Sequence, residues 1–170
     1  RVWCGPGNAM YLSDGLFAAA SDLARECEVG LHTHCSENLH EVSVFTSERS
    51  IEPVTWLANL NVLGPEVSLA HCVHLSDDEV AVLADTGVHV VHNPISNSYL
   101  GSGTMPLRRY LDAGVHIAAG TDGSAVYAED MFEVTGFRGK EEISRPYEFE
   151  IELTSLRQDA ELDPLLESKV

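Results

Sequence analysis

Short apolar runs alternate with longer amphipathic stretches along the first 125 residues of the chain. The apolar runs are too short for helices and are nearly continuous, which is typical of strands buried on both faces. We therefore predict five strands, at residues 1–5, 29–34, 67–71, 88–92 and 115–120.

The stretches between these runs have helical periodicity and helix-end residues. Ser13 is a predicted N-cap, and the helix after it has an apolar stripe formed by Leu16, Phe17, Ala20, Leu23, Ala24 and Cys27. A second helix is predicted at 53–60, with Pro53 in its first turn. A third runs from its cap at Ser76 to residue 86, before Gly87, and a fourth is predicted at 106–113.

Alternating strands and helices predict an α/β protein with a parallel sheet and right-handed crossovers. A barrel and an open doubly wound sheet both fit this pattern. Polar residues at nearly every strand end favour the barrel, because an open sheet concentrates its site at one switch point. Five strands are too few for a complete (β/α)8 barrel. We therefore predict a partial (β/α)8 barrel over residues 1–125.

The remaining residues, 126–170, form an acidic tail without this alternation. Residues 147–153 alternate like a lone strand. The last ten residues fit a short helix or disorder.

The composition limits the classes of partner. A formal net charge of −17 argues against a nucleic-acid backbone and against an anionic membrane surface. No apolar run approaches the roughly 20 residues that cross a bilayer. The four cysteines form no C-x-x-C pair, so we expect free thiols. Two features predict a cytoplasmic location. The thiols are expected to be free, and the first residues of the sequence do not form a charged and apolar leader.

Candidate chemistry lies at the ends of the predicted strands. His32 and His34 share one face of a strand, as metal-binding imidazoles do, although a polar core layer is an equal alternative for this pair alone. Glu37 follows three residues after His34, within reach of a proton-transfer role. His71 ends the next strand.

Asp122 follows the last predicted strand, where it could bind a metal or cap a helix. The imidazoles at the other strand ends favour a metal-binding and catalytic role. The segment after the fourth strand contains His92, Asn93 and Asn97, which are rich in hydrogen-bonding groups but also favour turns.

Four segments in order carry a family resemblance: HTHCSEN, AHCVHLSDDE, HNPISNSYLGSG and GVHIAAGTDGSA. Together they resemble the amidohydrolase superfamily, and most closely its deaminase and chlorohydrolase branch. That branch includes S-adenosylhomocysteine, guanine, 8-oxoguanine and triazine hydrolases. The resemblance extends from about residue 2 to residue 125.

The resemblance implies strands four to eight of a (β/α)8 barrel with one divalent metal ion, most readily zinc, with iron as the alternative. His34 and Asp122 correspond to metal ligands. Glu37, His71 and Asp122 correspond to catalytic residues, with His71 contacting substrate or metal. The implied substrate-binding residues are His71, His92, Asn93 and Asn97. The family's paired metal histidines on strand one have no counterpart in this sequence.

The implied activity is hydrolytic deamination of a ring amidine, such as a purine, pterin or triazine, by a metal-activated water. The implied partner is thus a small heterocyclic substrate, and the full-length protein is expected to form a homo-oligomer. Dechlorination or amide hydrolysis on the same scaffold is one alternative. A catalytically incomplete fragment or pseudoenzyme is another, because only two or three ligands are present.

Overall fold

A computed structural model describes residues 2–122, 133–140 and 148–154. The chain divides into two compact units, Arg1–Asp122 and Gly123–Val170. Each unit is described by itself below. None of the helices in the described part of the chain is both long and apolar enough to cross a membrane.

Five strands of the first unit form one parallel sheet, and their order in the sheet follows their order in the chain. A doubly wound sheet reverses its strand order at a switch point, and the described strands show no such reversal. The prediction of an α/β fold with a parallel sheet is confirmed. The strands are Cys4–Asn8 (β1), Leu31–Cys35 (β2), Val67–His71 (β3), His89–His92 (β4) and His116–Ala119 (β5).

Six α-helices connect these strands. Ser13 caps α1 by accepting from the backbone N–H of Leu16, and Ser76 forms a reciprocal capping box with Glu79 at the start of α4. Gly87, at a φ of 70°, ends α4. The helices are Asp14–Glu26 (α1), Leu39–Arg49 (α2), Pro53–Asn59 (α3), Asp77–Thr86 (α4), Pro94–Tyr99 (α5) and Leu107–Asp112 (α6).

Three elements differ from the sequence-based prediction. The first strand covers residues 4–8 rather than 1–5, and its pairing with β2 has an irregular register between Cys4 and Gly7. Helices α2 and α5 were not predicted. Their sequences lack a continuous apolar stripe, because α2 buries Glu41 beside Phe45 and α5 buries Ser96 and Asn97.

Burial alternates along β2 and places its histidines on one face of the sheet. Leu31, Thr33 and Cys35 are buried, and Leu31 and Cys35 belong to the apolar core that includes residues of α1, α3 and α4. His32 and His34 are only half-buried. Because side chains alternate across a strand, both imidazoles lie on the face opposite that core.

The second unit contains an antiparallel pair of strands, Glu133–Lys140 (β6) and Glu148–Thr154 (β7). The strand predicted at 147–153 is therefore paired rather than lone. Its partner has glycines at positions 136 and 139, which weaken a strand pattern. The predicted helix or disorder of the last ten residues lies outside the described residues.

Candidate active site

Three side chains from separate strands of the sheet converge at its carboxyl edge. His34 lies in β2, His71 ends β3, and Asp122 follows β5. Each offers one ligand atom, and these atoms all lie within 4.8 Å of one another. Carboxyl ends of parallel strands lie at one edge of the sheet, which explains why residues so distant in sequence meet.

The backbone is strained at this edge. His71 has a φ of 73°, Cys72 of 48°, Asp122 of 62° and Ser36 of 49°, all in the left-handed region that non-glycine residues rarely adopt. Such conformations persist only where surrounding contacts enforce them, and they cluster at functional sites. Two of the four residues are the candidate ligands His71 and Asp122.

Two carboxylates lie near one ring nitrogen of His71. Its Nε2 atom is 3.9 Å from Oε2 of Glu37 and 3.7 Å from Oδ2 of Asp122. The His71 side chain is almost completely buried, whereas the two carboxylates are partly exposed. The site therefore brings one imidazole and two proton-accepting groups together where a small molecule can reach them.

Serine hydroxyls orient both carboxylates. Ser96 donates to Oδ2 of Asp122 at 2.6 Å, and Ser102 donates to Oε1 of Glu37 at 3.1 Å. Ser102 thereby engages one oxygen of Glu37 while the other, Oε2, faces His71. Neither serine was singled out from the sequence, because serine in an Asn- and Gly-rich stretch is indistinguishable from a turn residue.

Glu41 holds the loop that carries Glu37. Its buried carboxylate accepts from the backbone N–H groups of Ser36 and Glu37, each at 2.9 Å. Asn38 in turn accepts from the N–H of Glu41, which caps α2. Sequence reasoning missed Glu41, although a Glu three residues after an Asn is a recognisable helix-start signal.

The predicted substrate-binding residues lie at and after the end of β4. His92 is the last residue of this strand and is half-buried, whereas Asn93 and Asn97 are buried. Asn97 Oδ1 lies 2.8 Å from Nδ1 of His71. Burial, and then the electrostatic interaction with His71, lowers the pKa of His92 below its ordinary 6.5.

Several polar atoms of these residues are buried and have no hydrogen-bond partner within the described parts of the chain. They belong to residues predicted to hold metal or substrate, and a buried polar atom without a partner is costly. They are Nδ1 of His34 and His92, Oδ1 of Asn93 and Nδ2 of Asn97. A bound ligand would supply the missing partners.

The other strand-end residues have structural contacts. His32 Nδ1 lies 2.7 Å from the Ser68 hydroxyl, and burial, followed by the charges of His34 and His71, lowers the pKa of His32 below 6.5. The Cys35 thiol is buried, and its hydrogen bond with Cys72, followed by burial, raises its pKa well above the ordinary value. It therefore stays protonated, as a packing role requires.

The converging donor set fits a divalent transition metal. Two imidazoles and a carboxylate are ligands that zinc and iron accept, and three protein ligands are typical of a catalytic zinc site. The buried Nδ1 of His34 has no hydrogen-bond partner among residues 2–122, 133–140 and 148–154, and this observation favours a ligand at this position.

Comparisons with known proteins identify relatives of this chain. A 5'-deoxyadenosine deaminase from Methanothermobacter thermautotrophicus is 41% identical over 134 residues, which are 78% of this chain and 31% of that relative. The chain thus spans about a third of the length of that relative.

Two solved structures with zinc are also similar. An adenosine deaminase from Xanthomonas campestris has a TM-score of 0.68 at 30% identity, over 71% of this chain and 28% of that one. An atrazine chlorohydrolase from Arthrobacter aurescens has a TM-score of 0.64 at 34% identity, over 71% and 26%. These similarities confirm the resemblance to a deaminase and chlorohydrolase branch.

The model of the Amidohydrolase family matches residues 2–145, most of the chain. Its agreement with the ordered strand-end motifs and with the site shows that the chain belongs to the amidohydrolase family.

Proposed function

We propose that this chain forms strands four to eight of a (β/α)8 barrel and contributes to a metal-dependent deaminase of amino-substituted nitrogen heterocycles. The convergence of His34, His71 and Asp122 within 4.8 Å is the observation that carries this proposal. The unreversed order of β1 to β5 supports the barrel. Because the chain spans about a third of its deaminase relative, the activity is proposed for the longer protein to which such a segment belongs.

His34 and Asp122 would hold the metal ion, most readily zinc, with iron as the alternative. When bound, a divalent ion of this kind lowers the pKa of a water molecule to about 7 in favourable sites and so supplies a nucleophile near neutral pH. Proton transfer and substrate binding are assigned below to side chains of this chain.

Asp122 and Glu37 would move the protons. Asp122 accepts a proton from the attacking water, and Ser96 fixes the orientation of its carboxylate. Glu37 gives one proton to the ring nitrogen, then takes the hydroxyl proton of the substrate adduct and passes it to the amine as it leaves, using Oε2, because Ser102 engages Oε1. The proton held by Asp122 then returns to Glu37 and restores both carboxyl groups to their starting states. One water is consumed, the ring carbon gains the oxygen, and ammonia leaves.

His71, His92, Asn93 and Asn97 would surround the substrate. The His71 imidazole faces both carboxylates and stabilises charge that develops during the attack. The buried atoms of His92 and Asn93 that have no partner within the described ranges would bond to the polar edge of the heterocycle. The deoxyadenosine deaminase similarity favours a purine nucleoside among the possible rings.

Metal binding tests the proposal at its first step. The 170-residue chain, dialysed against zinc, is expected to retain about one ion per chain. His34→Ala and Asp122→Asn should each weaken zinc binding at least tenfold, as the loss of a ligand implies. His40→Ala is the matched control, because His40 is an exposed imidazole in α2. A folded wild-type chain without zinc, or equal losses in His40→Ala, would contradict the proposal and favour an incomplete fragment.

Product release tests the chemistry separately. Ammonia release from 5'-deoxyadenosine by the longer protein should depend on zinc and should fall at least a hundredfold in Glu37→Gln, in line with the contribution of general acid–base catalysis. A longer protein that binds zinc but releases no ammonia would refute deamination by these residues and leave the metal site standing.

Dechlorination is the second candidate, favoured by the similarity to atrazine chlorohydrolase. Release of chloride from a chlorotriazine without release of ammonia from nucleosides would select it.

A further inference from the structure

The two ring nitrogens of His71 have different surroundings. Nδ1 lies 2.8 Å from Oδ1 of Asn97, which is a direct hydrogen bond. Nε2 lies 3.9 Å from Glu37 and 3.7 Å from Asp122, both longer than a direct hydrogen bond. Asn97 therefore makes the contact that decides where the proton of a neutral ring sits.

An amide oxygen only accepts hydrogen bonds, so with Oδ1 of Asn97 facing the ring the proton lies on Nδ1. A neutral imidazole has one N–H, and Nε2 is then left with a lone pair directed toward the carboxylates. We infer that Asn97 is a positioning residue that holds His71 in the tautomer with its proton on Nδ1. This inference rests on the proposed function for its catalytic meaning, but the tautomer itself can be measured without activity.

The surroundings of Asn97 suit such a role. Its side chain is buried, and both of its backbone groups are engaged: its N–H donates to the carbonyl of Asn93 at 2.9 Å, and its carbonyl accepts from the N–H of Ser102 at 2.8 Å. With backbone and burial fixed, the amide has little freedom to swing away from His71. It can therefore orient the ring as well as select its tautomer.

The neighbouring residues of the same segment act on the other functional groups. Ser96 bonds to Asp122 and Ser102 bonds to Glu37. One segment after β4 thus supports three side chains that come from three other parts of the sheet edge. Support of this kind is what fixes the tautomer and ring direction of a functional histidine.

The tautomer has a chemical consequence. A resting His71 with a lone pair on Nε2 can bind a metal or receive a proton, but it cannot donate a hydrogen bond to the substrate from that atom. His71 is therefore an acceptor at the start of the reaction, and it stabilises developing negative charge only once Nε2 has received a proton.

Nitrogen NMR of the ring tests the inference directly. The ¹⁵N-labelled, metal-free 170-residue chain would be examined over a series of pH values, and the tautomer would be read where the two ring-nitrogen signals themselves report a neutral imidazole. The His71 signals are assigned by their loss in His71→Gln. The wild-type ring should show its proton on Nδ1. Asn97→Ala should shift the ring toward the Nε2–H tautomer, whereas Asn97→Asp, which keeps an acceptor, should retain Nδ1–H.

Ser98→Ala is the matched control, because Ser98 is an exposed residue of the same helix and its hydroxyl donates to the Pro94 carbonyl within that helix at 2.8 Å. It should leave the His71 tautomer unchanged. A wild-type proton on Nε2, which a reversed Asn97 amide would produce, overturns the inference. So does an unchanged tautomer in folded Asn97→Ala. Should that variant not fold, the wild-type and Asn97→Asp spectra decide.

Zinc affinity provides a second measurement. The ligand atom of His71 lies within 4.8 Å of those of His34 and Asp122, so the direction of its ring affects the metal site. Asn97→Ala should therefore weaken zinc binding about 10- to 100-fold relative to Ser98→Ala, as loss of an outer-shell partner does. Equal affinities would overturn the positioning role. A chain with the Nδ1–H tautomer that binds no zinc would instead contradict the proposed function and leave the tautomer assignment intact.

Discussion

Replacing Glu41 should destabilise the chain far more than its place in a polar helix suggests. Its carboxylate is 1% exposed and accepts two backbone hydrogen bonds, from Ser36 and Glu37, each at 2.9 Å. Hydrogen bonds to charged groups contribute about 1.5–3 kcal/mol each. Glu41→Ala removes both acceptors and leaves two N–H groups without partners, so the expected loss is about 3–5 kcal/mol.

Glu41→Gln removes the charge of the side chain but keeps its volume, so it separates the two contributions to stability. Glutamine keeps one oxygen acceptor but presents an NH₂ group to the second N–H, so one of the two bonds is lost. The expected loss is about 1.5–3 kcal/mol. For a domain whose free energy of unfolding is about 5–15 kcal/mol, both variants should be easily distinguished from wild type.

Urea unfolding followed by circular dichroism measures these differences. Glu48→Ala is the control, because Glu48 is an exposed acid of the same helix and should change the free energy of unfolding by no more than about 0.5 kcal/mol. A Glu41→Ala loss no larger than that of Glu48→Ala would refute the reasoning. It would mean that water satisfies the two N–H groups as well as the carboxylate does.

Three further predictions concern burial and backbone space. Burial raises the pKa of Glu79 above 4.5. The contribution of the Glu79 side chain to stability therefore declines as the pH rises above 4.5 through the raised pKa. Parallel pH profiles of the urea midpoint for wild type and Glu79→Gln would contradict this. Leu83→Ala in the fully buried core should cost about 2–5 kcal/mol in urea unfolding, and a loss below 1 kcal/mol would mean that the site collapses around the smaller side chain. In Gly120→Ala the new Cβ would lie 2.5 Å from Oδ1 of Asn93, so the variant should lower the thermal midpoint, and an unchanged midpoint would show that Asn93 moves aside freely.

The strand framework was predictable because its signal is local. Strands β3, β4 and β5 lie within their predicted ranges, and β2 extends one residue beyond its range. A short apolar run bounded by turn residues identifies each of them. The sites at their ends follow from topology: parallel strands place their carboxyl ends at one edge. The convergence of His34, His71 and Asp122 was therefore predictable from the spacing of apolar runs, although the separation of their atoms was not.

The first strand was harder to locate. Its residues 4–8 read CGPGN, and glycine and proline predict a turn. In the structure, pairing with β2 overrides this local preference, with Cys4 opposite Leu31 and Asn8 opposite His34. Only the neighbouring strand makes this segment extended, and no periodicity within five residues could show that.

Helices α2 and α5 escaped prediction for a reason connected with the site. A helix is recognised from sequence by its apolar stripe, but these two helices bury Glu41, Ser96 and Asn97 toward the candidate site. A buried polar side chain at a position where packing favours an apolar one is the local conflict expected at a functional site. The two failures of the hydrophobic pattern therefore mark the two segments that hold Glu37, Asp122 and His71 in place.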